Sequence, residues 1–116
     1  MKSKFSAKSS PKTAQVFPLT PAQLHDRQDR VLVIDIRGWF EYWMGHVPGA
    51  KRMNPNSILK DIAKDKAIVL TCFSGHRSTL AAQHLARQGY HKLYNLKGGL
   101  LAWQGAGYSV HRGNRP

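Results

Sequence analysis

Val31-Leu32-Val33-Ile34-Asp35-Ile36 is a near-continuous apolar run in which polar and apolar positions do not alternate. A strand with one solvated face alternates with period two. A strand that is apolar along nearly its whole length is covered on both faces, which is the situation of a parallel sheet flanked by helices. Ala67-Ile68-Val69-Leu70-Thr71 is a second buried strand, and Lys92-Leu93-Tyr94-Asn95-Leu96 a further one. Helical segments separate them, and strands alternating with helices predict an α/β sandwich with a mostly parallel central sheet. The ligand site of such a sheet lies outside the carboxyl ends of its strands, where Asp35 and Cys72 both fall.

The intervening segments carry their own signals. Thr20-Pro21-Ala22-Gln23 combines an N-cap threonine, proline at the first helical position and glutamine three residues after the cap, so a short helix opens there and runs to about Arg27. Gly38 breaks the first apolar run, and Trp39 to Met44 reads as a short helical turn. Gly45-His46-Val47-Pro48-Gly49-Ala50 is a loop feeding an extended piece near 51–54. Asn56 or Ser57 is expected to cap a helix running to about Ala63. Ser78 through Gln88 reads as a helix stopped by Gly89, and a last short helix is expected around Leu100 to Gln104, after Gly98-Gly99.

A chain of 116 residues has room for one domain with a core and not for two ordinary ones. The folded part is expected over 15–110, with mobile tails over 1–14, rich in Ser and Lys, and over 111–116, which contains Gly and Pro. Eighteen Lys and Arg against six Asp and Glu give a formal charge of +12. Such a surplus favours anionic small molecules, acidic proteins or nucleic acid as partners. Much of it lies in the two tails, as a solubilising surplus, and no aromatic-interleaved basic motif argues for nucleic acid. No apolar stretch has the length of a membrane span or the form of a secretory leader, so a cytoplasmic location is expected.

Cys72 is the single cysteine. It can form no internal disulfide and has no internal resolving partner, so anything its sulfur carries must leave to an external acceptor. Cys72-Phe73-Ser74-Gly75-His76-Arg77-Ser78 joins the end of an apolar strand to the start of a helix, with Gly75 permitting a tight turn. A strand-loop-helix turn points its amides inward. Several N–H groups and a helix N-terminus facing one sulfur stabilise the thiolate and lower the thiol pKa from about 8.5. Arg77 adds a planar, permanently charged donor fork, suited to an anionic, oxygen-rich group arriving at Cys72.

With these residues in view, the chain resembles the rhodanese-like sulfurtransferases over roughly residues 16 to 110. Val33-Ile34-Asp35-Ile36-Arg37, with Glu41-Tyr42 and 45–50, is similar to that family's N-terminal signature. The Cys72 to Ser78 loop is similar to its active-site loop, and Leu96-Lys97-Gly98-Gly99 with Ala102-Trp103 is similar to its C-terminal signature. The resemblance implies a three-layer sandwich. It also implies a chemistry without metal or organic cofactor: Cys72 takes the outer sulfur of a small anionic donor such as thiosulfate, holds it as a persulfide, and passes it to cyanide, a thiol or a protein acceptor. Amides of Phe73, Ser74, Gly75, His76, Arg77 and Ser78 would cradle the terminal sulfur. From Cys72 to Arg77 the loop counts C-x4-R, one residue shorter than the C-x5-R loop of cysteine phosphatases and arsenate-reducing relatives, which suits a sulfur better than a tetrahedral oxyanion. Many thiosulfate-active members carry a basic residue directly after the cysteine; here it is Phe73, and His76 is the partial substitute.

Each of these residues also has a plainer role open to it. A lone cysteine is commonly a small buried hydrophobe. Arg77 can pair with Asp35 or Glu41, and His76 can be an exposed loop residue. For Asp35, Arg37, Glu41 and His46 the resemblance implies residues that tie loops together beside the site, and their spacing does not resemble a metal-ligand cluster. Asp35 and Arg37 are thereby supporting residues. Ser78 is expected to be a helix N-cap. Trp39, Phe40, Tyr42 and Trp43 cannot all be buried by one face of a short helix, so at least one is expected at the surface, where it can contact a protein. The rival to an enzyme is therefore a binding module or sulfur carrier of the same fold, with little activity on free thiosulfate.

Overall fold

The computed structural model of the chain describes residues 15–116. The basic segment 1–14 lies outside the described residues. Five strands, β1 (Phe17–Leu19), β2 (Leu32–Asp35), β3 (Lys51–Arg52), β4 (Ile68–Thr71) and β5 (Leu93–Leu96), form one sheet in the order β1-β5-β4-β2-β3. Every pairing is parallel. The helices are α1 (Pro21–Arg27), α2 (Trp39–Met44), α3 (Pro55–Asp61), α4 (His76–Arg87) and α5 (Gly99–Gly105), with a 3-10 turn over Gln28–Arg30.

The apolar runs are buried on both faces of the sheet. Val33, Val69 and Leu96 pack with Leu24 of α1 and with Leu100 and Trp103 of α5. Ile34, Ile68, Leu70 and Leu93 point the other way, onto Ile58 of α3 and Ala82, Leu85 and Ala86 of α4. Burying one such side chain contributes about 1.5–3 kcal/mol. Summed over both layers, that burial outweighs the weak preference of a three- or four-residue strand for its own conformation. The result is the expected sandwich with helices on each side.

Local signals set most boundaries. The Thr20 capping box is complete: Thr20 Oγ1 accepts from the Gln23 amide at 3.2 Å, and Gln23 Oε1 accepts from the Thr20 amide at 2.9 Å. Three boundaries differ from the sequence expectation. Helix α3 is capped by Asn54, whose Oδ1 accepts from the Ser57 amide at 2.8 Å, and it ends at Asp61 instead of near Ala63. Pro55 at the first helical position decides this, since its ring fixes a helical φ and it lacks only an amide that the helix cannot use. Helix α4 begins at His76, after Gly75 in the left-handed region at φ +92°, so Ser78 is the third residue of the helix and not its cap. Strand β1 was not anticipated. It contains Pro18, which cannot donate to a ladder, and it is tolerated because it lies at the sheet edge.

Residues 111–116 lie against the connection from α2 to β3, an arrangement their Gly/Pro composition did not announce. His46 and His111 exchange backbone hydrogen bonds of 2.9 Å, the Gly113 amide donates to Trp43 at 2.8 Å, and His46 Nε2 lies 2.7 Å from the Arg115 carbonyl oxygen.

Candidate active site

Strand β4 ends at Thr71, so Cys72 sits at the carboxyl edge of the central strand of the sheet. The chain must then turn back sharply for α4 to cover the face that Ile68 and Leu70 present. Gly75 makes the turn. A Cβ there would come within 3.1 Å of the Gly98 amide nitrogen and 3.3 Å of the Leu96 carbonyl oxygen, on a backbone that L-residues rarely adopt.

The turn aims its donors at one atom. Cys72 Sγ accepts from the Gly75 amide at 3.1 Å and from the Ser78 amide at 3.3 Å, and the Ser78 hydroxyl oxygen lies 3.3 Å away. Burial opposes ionisation of this nearly inaccessible thiol most strongly. The Ser78 hydroxyl and the amides of Ser78, Gly75 and Ser74 together outweigh it, and the thiol is held below its usual value. An ordinary buried cysteine would be pushed the other way. Convergent donors on a lone sulfur are the arrangement of an activated nucleophile.

The loop is clamped from below by the Gly98-Gly99 turn. The Leu100 amide donates to the Cys72 carbonyl and the Leu101 amide to the Phe73 carbonyl, both at 2.9 Å. Gly99 lies so close that a Cβ there would stand 2.5 Å from the Phe73 carbonyl oxygen and 2.6 Å from that of Cys72. The segment around Gly98-Gly99, similar to the C-terminal signature, thus supplies the floor of the cysteine loop.

The remaining residues make their contacts away from the sulfur. Arg77 turns to α2, where Nη1 and Nη2 each donate at 3.1 Å to the two carboxylate oxygens of Glu41. Both side chains are about half exposed. The Arg77 fork lowers the Glu41 pKa more than any other influence, and Glu41 in turn raises that of Arg77. Phe73, Ser74 and His76 are exposed at the rim. Asp35 and Arg37 are a buried ion pair at 2.8 Å, and the second residue also donates from Nη2 to the Gly45 carbonyl at 2.6 Å. They brace the loops that follow β2 and α2 and do not reach the sulfur. Of the aromatic cluster, Tyr42 is buried while Trp39, Phe40 and Trp43 are 54%, 68% and 45% exposed.

Asn95 is the site residue that sequence reasoning missed. It lies on β5, on the same face as Leu93, and its amide contacts Ser78, Thr79 and the Gly75 carbonyl. The signal was present in the sequence, since a polar side chain within a strand covered on both faces must find hydrogen-bond partners.

The sequence profile of the rhodanese-like domain matches residues 20–106. The chain belongs to the rhodanese-like family. Over 91 residues it is 37% identical to a sulfurtransferase of Allochromatium vinosum, covering 76% of this chain and 84% of that protein. It is 33% identical over 87 residues to the thiosulfate sulfurtransferase GlpE of Pseudoalteromonas translucida, covering 72% and 82%. The solution structure of a rhodanese-like domain from Anabaena superposes with a TM-score of 0.75 at 22% identity, over 86% of this chain and 82% of that one. That likeness extends to the fold. The two enzyme relatives place the chain among the sulfurtransferases of the rhodanese-like family.

Proposed function

We propose that the protein is a rhodanese-type sulfurtransferase that works through a persulfide on Cys72. The observation that carries this reading is the convergence of the Gly75 and Ser78 donors on the sulfur of the single cysteine. The Cys72 thiolate attacks the outer sulfur of thiosulfate, a new S–S bond forms, and sulfite leaves with the electron pair of the bond that breaks. Cyanide, a thiol or a protein thiolate then attacks the terminal sulfur, and the Cys72 thiolate leaves, ready for another cycle.

The charge on the outer sulfur needs donors of its own. The amides of His76 and Arg77 lie in the first turn of α4 and have no intrahelical acceptor, which makes them the natural ones. No metal or organic cofactor takes part in these two displacements. A reducing, cytoplasmic setting goes with this chemistry, because it keeps the lone thiol free and supplies thiol acceptors.

Incubation of the purified protein with thiosulfate is expected to add the mass of one sulfur atom, and cyanide to remove it as thiocyanate. Cys72→Ser, nearly isosteric, is expected to remove both reactions and keep the fold. Retention of sulfur by the Cys72→Ser variant, or no gain by the wild type with any donor, overturns the reading.

The exposed Trp39, Phe40 and Trp43 favour one second reading, a sulfur carrier loaded by a protein partner. Slow loading by free thiosulfate together with fast loading from a protein persulfide distinguishes it.

A further inference from the structure

The Ser78 hydroxyl has one proton and three acceptors within reach: Cys72 Sγ at 3.3 Å, the Gly75 carbonyl at 3.3 Å and Asn95 Oδ1 at 2.5 Å. The orientation of the Asn95 amide follows from its neighbours. One end of it lies 3.3 Å from the Gly75 carbonyl oxygen, which can only accept, so that end is the NH2 group. The same NH2 reaches Thr79 Oγ1 at 2.8 Å, and the Thr79 proton is itself given to the Gly75 carbonyl at 2.7 Å. The end that faces Ser78 is therefore Oδ1, which must receive the Ser78 proton or go unpaired in a site that is 8% exposed.

A neutral thiol makes little demand on that proton, since sulfur is a weak acceptor. A thiolate does, because a hydrogen bond to an ionised acceptor is roughly twice as strong as one between neutral groups. We propose that Asn95 is a positioning residue that makes the Ser78 hydroxyl a two-position donor, held on Asn95 Oδ1 while Cys72 is a thiol and turned to Cys72 Sγ once the sulfur is anionic. On ionisation the thiol proton leaves to solvent, the Ser78 O–H rotates to the sulfur, and Asn95 Oδ1 loses its partner. That loss is charged against the thiolate, so Asn95 tempers the stabilisation that the loop amides supply. The tempering has a chemical use. Nucleophilicity of a thiolate falls as its parent thiol becomes more acidic, and the best attacking thiol ionises near the ambient pH.

The charged groups around the sulfur do not reproduce this effect. Arg77 of α4 is engaged with Glu41 of α2, and the Asp35–Arg37 pair beside β2 neutralises itself. The floor contributed by α5 offers backbone groups alone.

The inference rests on the assignment of Cys72 as the nucleophile, yet its test needs no sulfur donor. Because the chain has one cysteine, the ultraviolet absorbance of the thiolate, read below the range in which the four tyrosines ionise and against Cys72→Ser as the blank, titrates Cys72 alone. Asn95→Leu removes the nearest competing acceptor, leaving the Gly75 carbonyl at 3.3 Å, and is expected to raise the thiolate-to-thiol ratio at a fixed pH by about threefold or more. Ser78→Ala is expected to lower it. In the Ser78→Ala background the Asn95 substitution is expected to change nothing, because the donor it competes for is gone. Asn95→Ser, too short to reach Ser78, is the second variant if the leucine fails to fold. An unchanged or lowered ratio in Asn95→Leu, or an equal change with and without Ser78, overturns the proposal and leaves Asn95 a brace for the loop. A titration that behaves as stated beside a protein that transfers no sulfur would instead overturn the function and keep the switch.

Discussion

Gly99→Ala should destabilise the protein by far more than an alanine at another left-handed glycine, and Gly107 is the internal standard. Gly99 has φ +62° and Gly107 φ +90°, so both carry the conformational cost of an L-residue there, about 1–2 kcal/mol. Their surroundings differ. A Cβ at Gly107 meets nothing within 4 Å, whereas one at Gly99 overlaps three backbone atoms of Cys72 and Phe73 at 2.5–2.6 Å. Backbone held in a hydrogen-bonded clamp cannot yield as a side-chain tip can, so an overpacking cost of about 1–3 kcal/mol is added at Gly99. The totals are about 2–5 kcal/mol for Gly99→Ala and about 1–2 kcal/mol for Gly107→Ala. For a domain of this size each kcal/mol lowers Tm by roughly 4 °C, so thermal unfolding should fall by about 8–20 °C in the first and about 4–8 °C in the second. Circular dichroism measures both directly. Equal losses in the two variants would show that the contact between Gly99 and the Cys72 carbonyl does not constrain the loop. Because the clash falls on the cysteine loop, Gly99→Ala should also slow sulfur loading, while Gly107→Ala should not.

Other consequences follow from the charged groups. The Cys72 thiol is lowered on folding, so its ionised form favours the folded state; that contribution is complete above the unfolded value of about 8.5 and is lost as pH falls through the folded one. Urea unfolding of the wild type and of Cys72→Ser should accordingly diverge as pH rises, and a constant difference would contradict the donor geometry. Glu41→Gln removes a half-exposed pair and should cost under about 1 kcal/mol, while freeing Arg77 to lower the KM for thiosulfate; a higher KM would mean that Glu41 holds Arg77 in place for the donor. Asp35→Asn leaves the buried Arg37 charge without its counterion and should cost about 3–5 kcal/mol in urea unfolding, with a loss below 1 kcal/mol arguing that Arg37 reaches water.

The elements legible in the sequence were those with a strong local cause. Apolar runs over 31–36 and 67–71 declared buried parallel strands, and the Thr20 capping box set the start of α1. Cys72 was legible because a lone thiol stood where a strand gives way to a helix. What stayed hidden depends on contacts between segments distant in sequence. Leu19 pairs with Leu96 across the sheet edge, and this pairing, not the propensity of Phe17-Pro18-Leu19, makes β1 a strand. Ser78 resembles an N-cap as long as Gly75 is not known to be left-handed, and the partner of Arg77 is chosen by how α2 packs. Asn95 meets Ser78 only when β5 and α4 are side by side.

The two borders of the sheet bear on how the molecule behaves at high concentration. An all-parallel sheet that ends in free strands offers ladders to which another copy can add. Among the described residues one border is the three-residue β1, in which Pro18 has no amide to donate, and the other is the two-residue β3, built of Lys51 and Arg52. A neighbouring molecule approaching either border finds a ladder too short or too highly charged to extend. The same shortness that hid β1 from the sequence thus gives protection against edge-to-edge aggregation, and the exposed aromatic face of α2 remains as a place for contacts of a different kind.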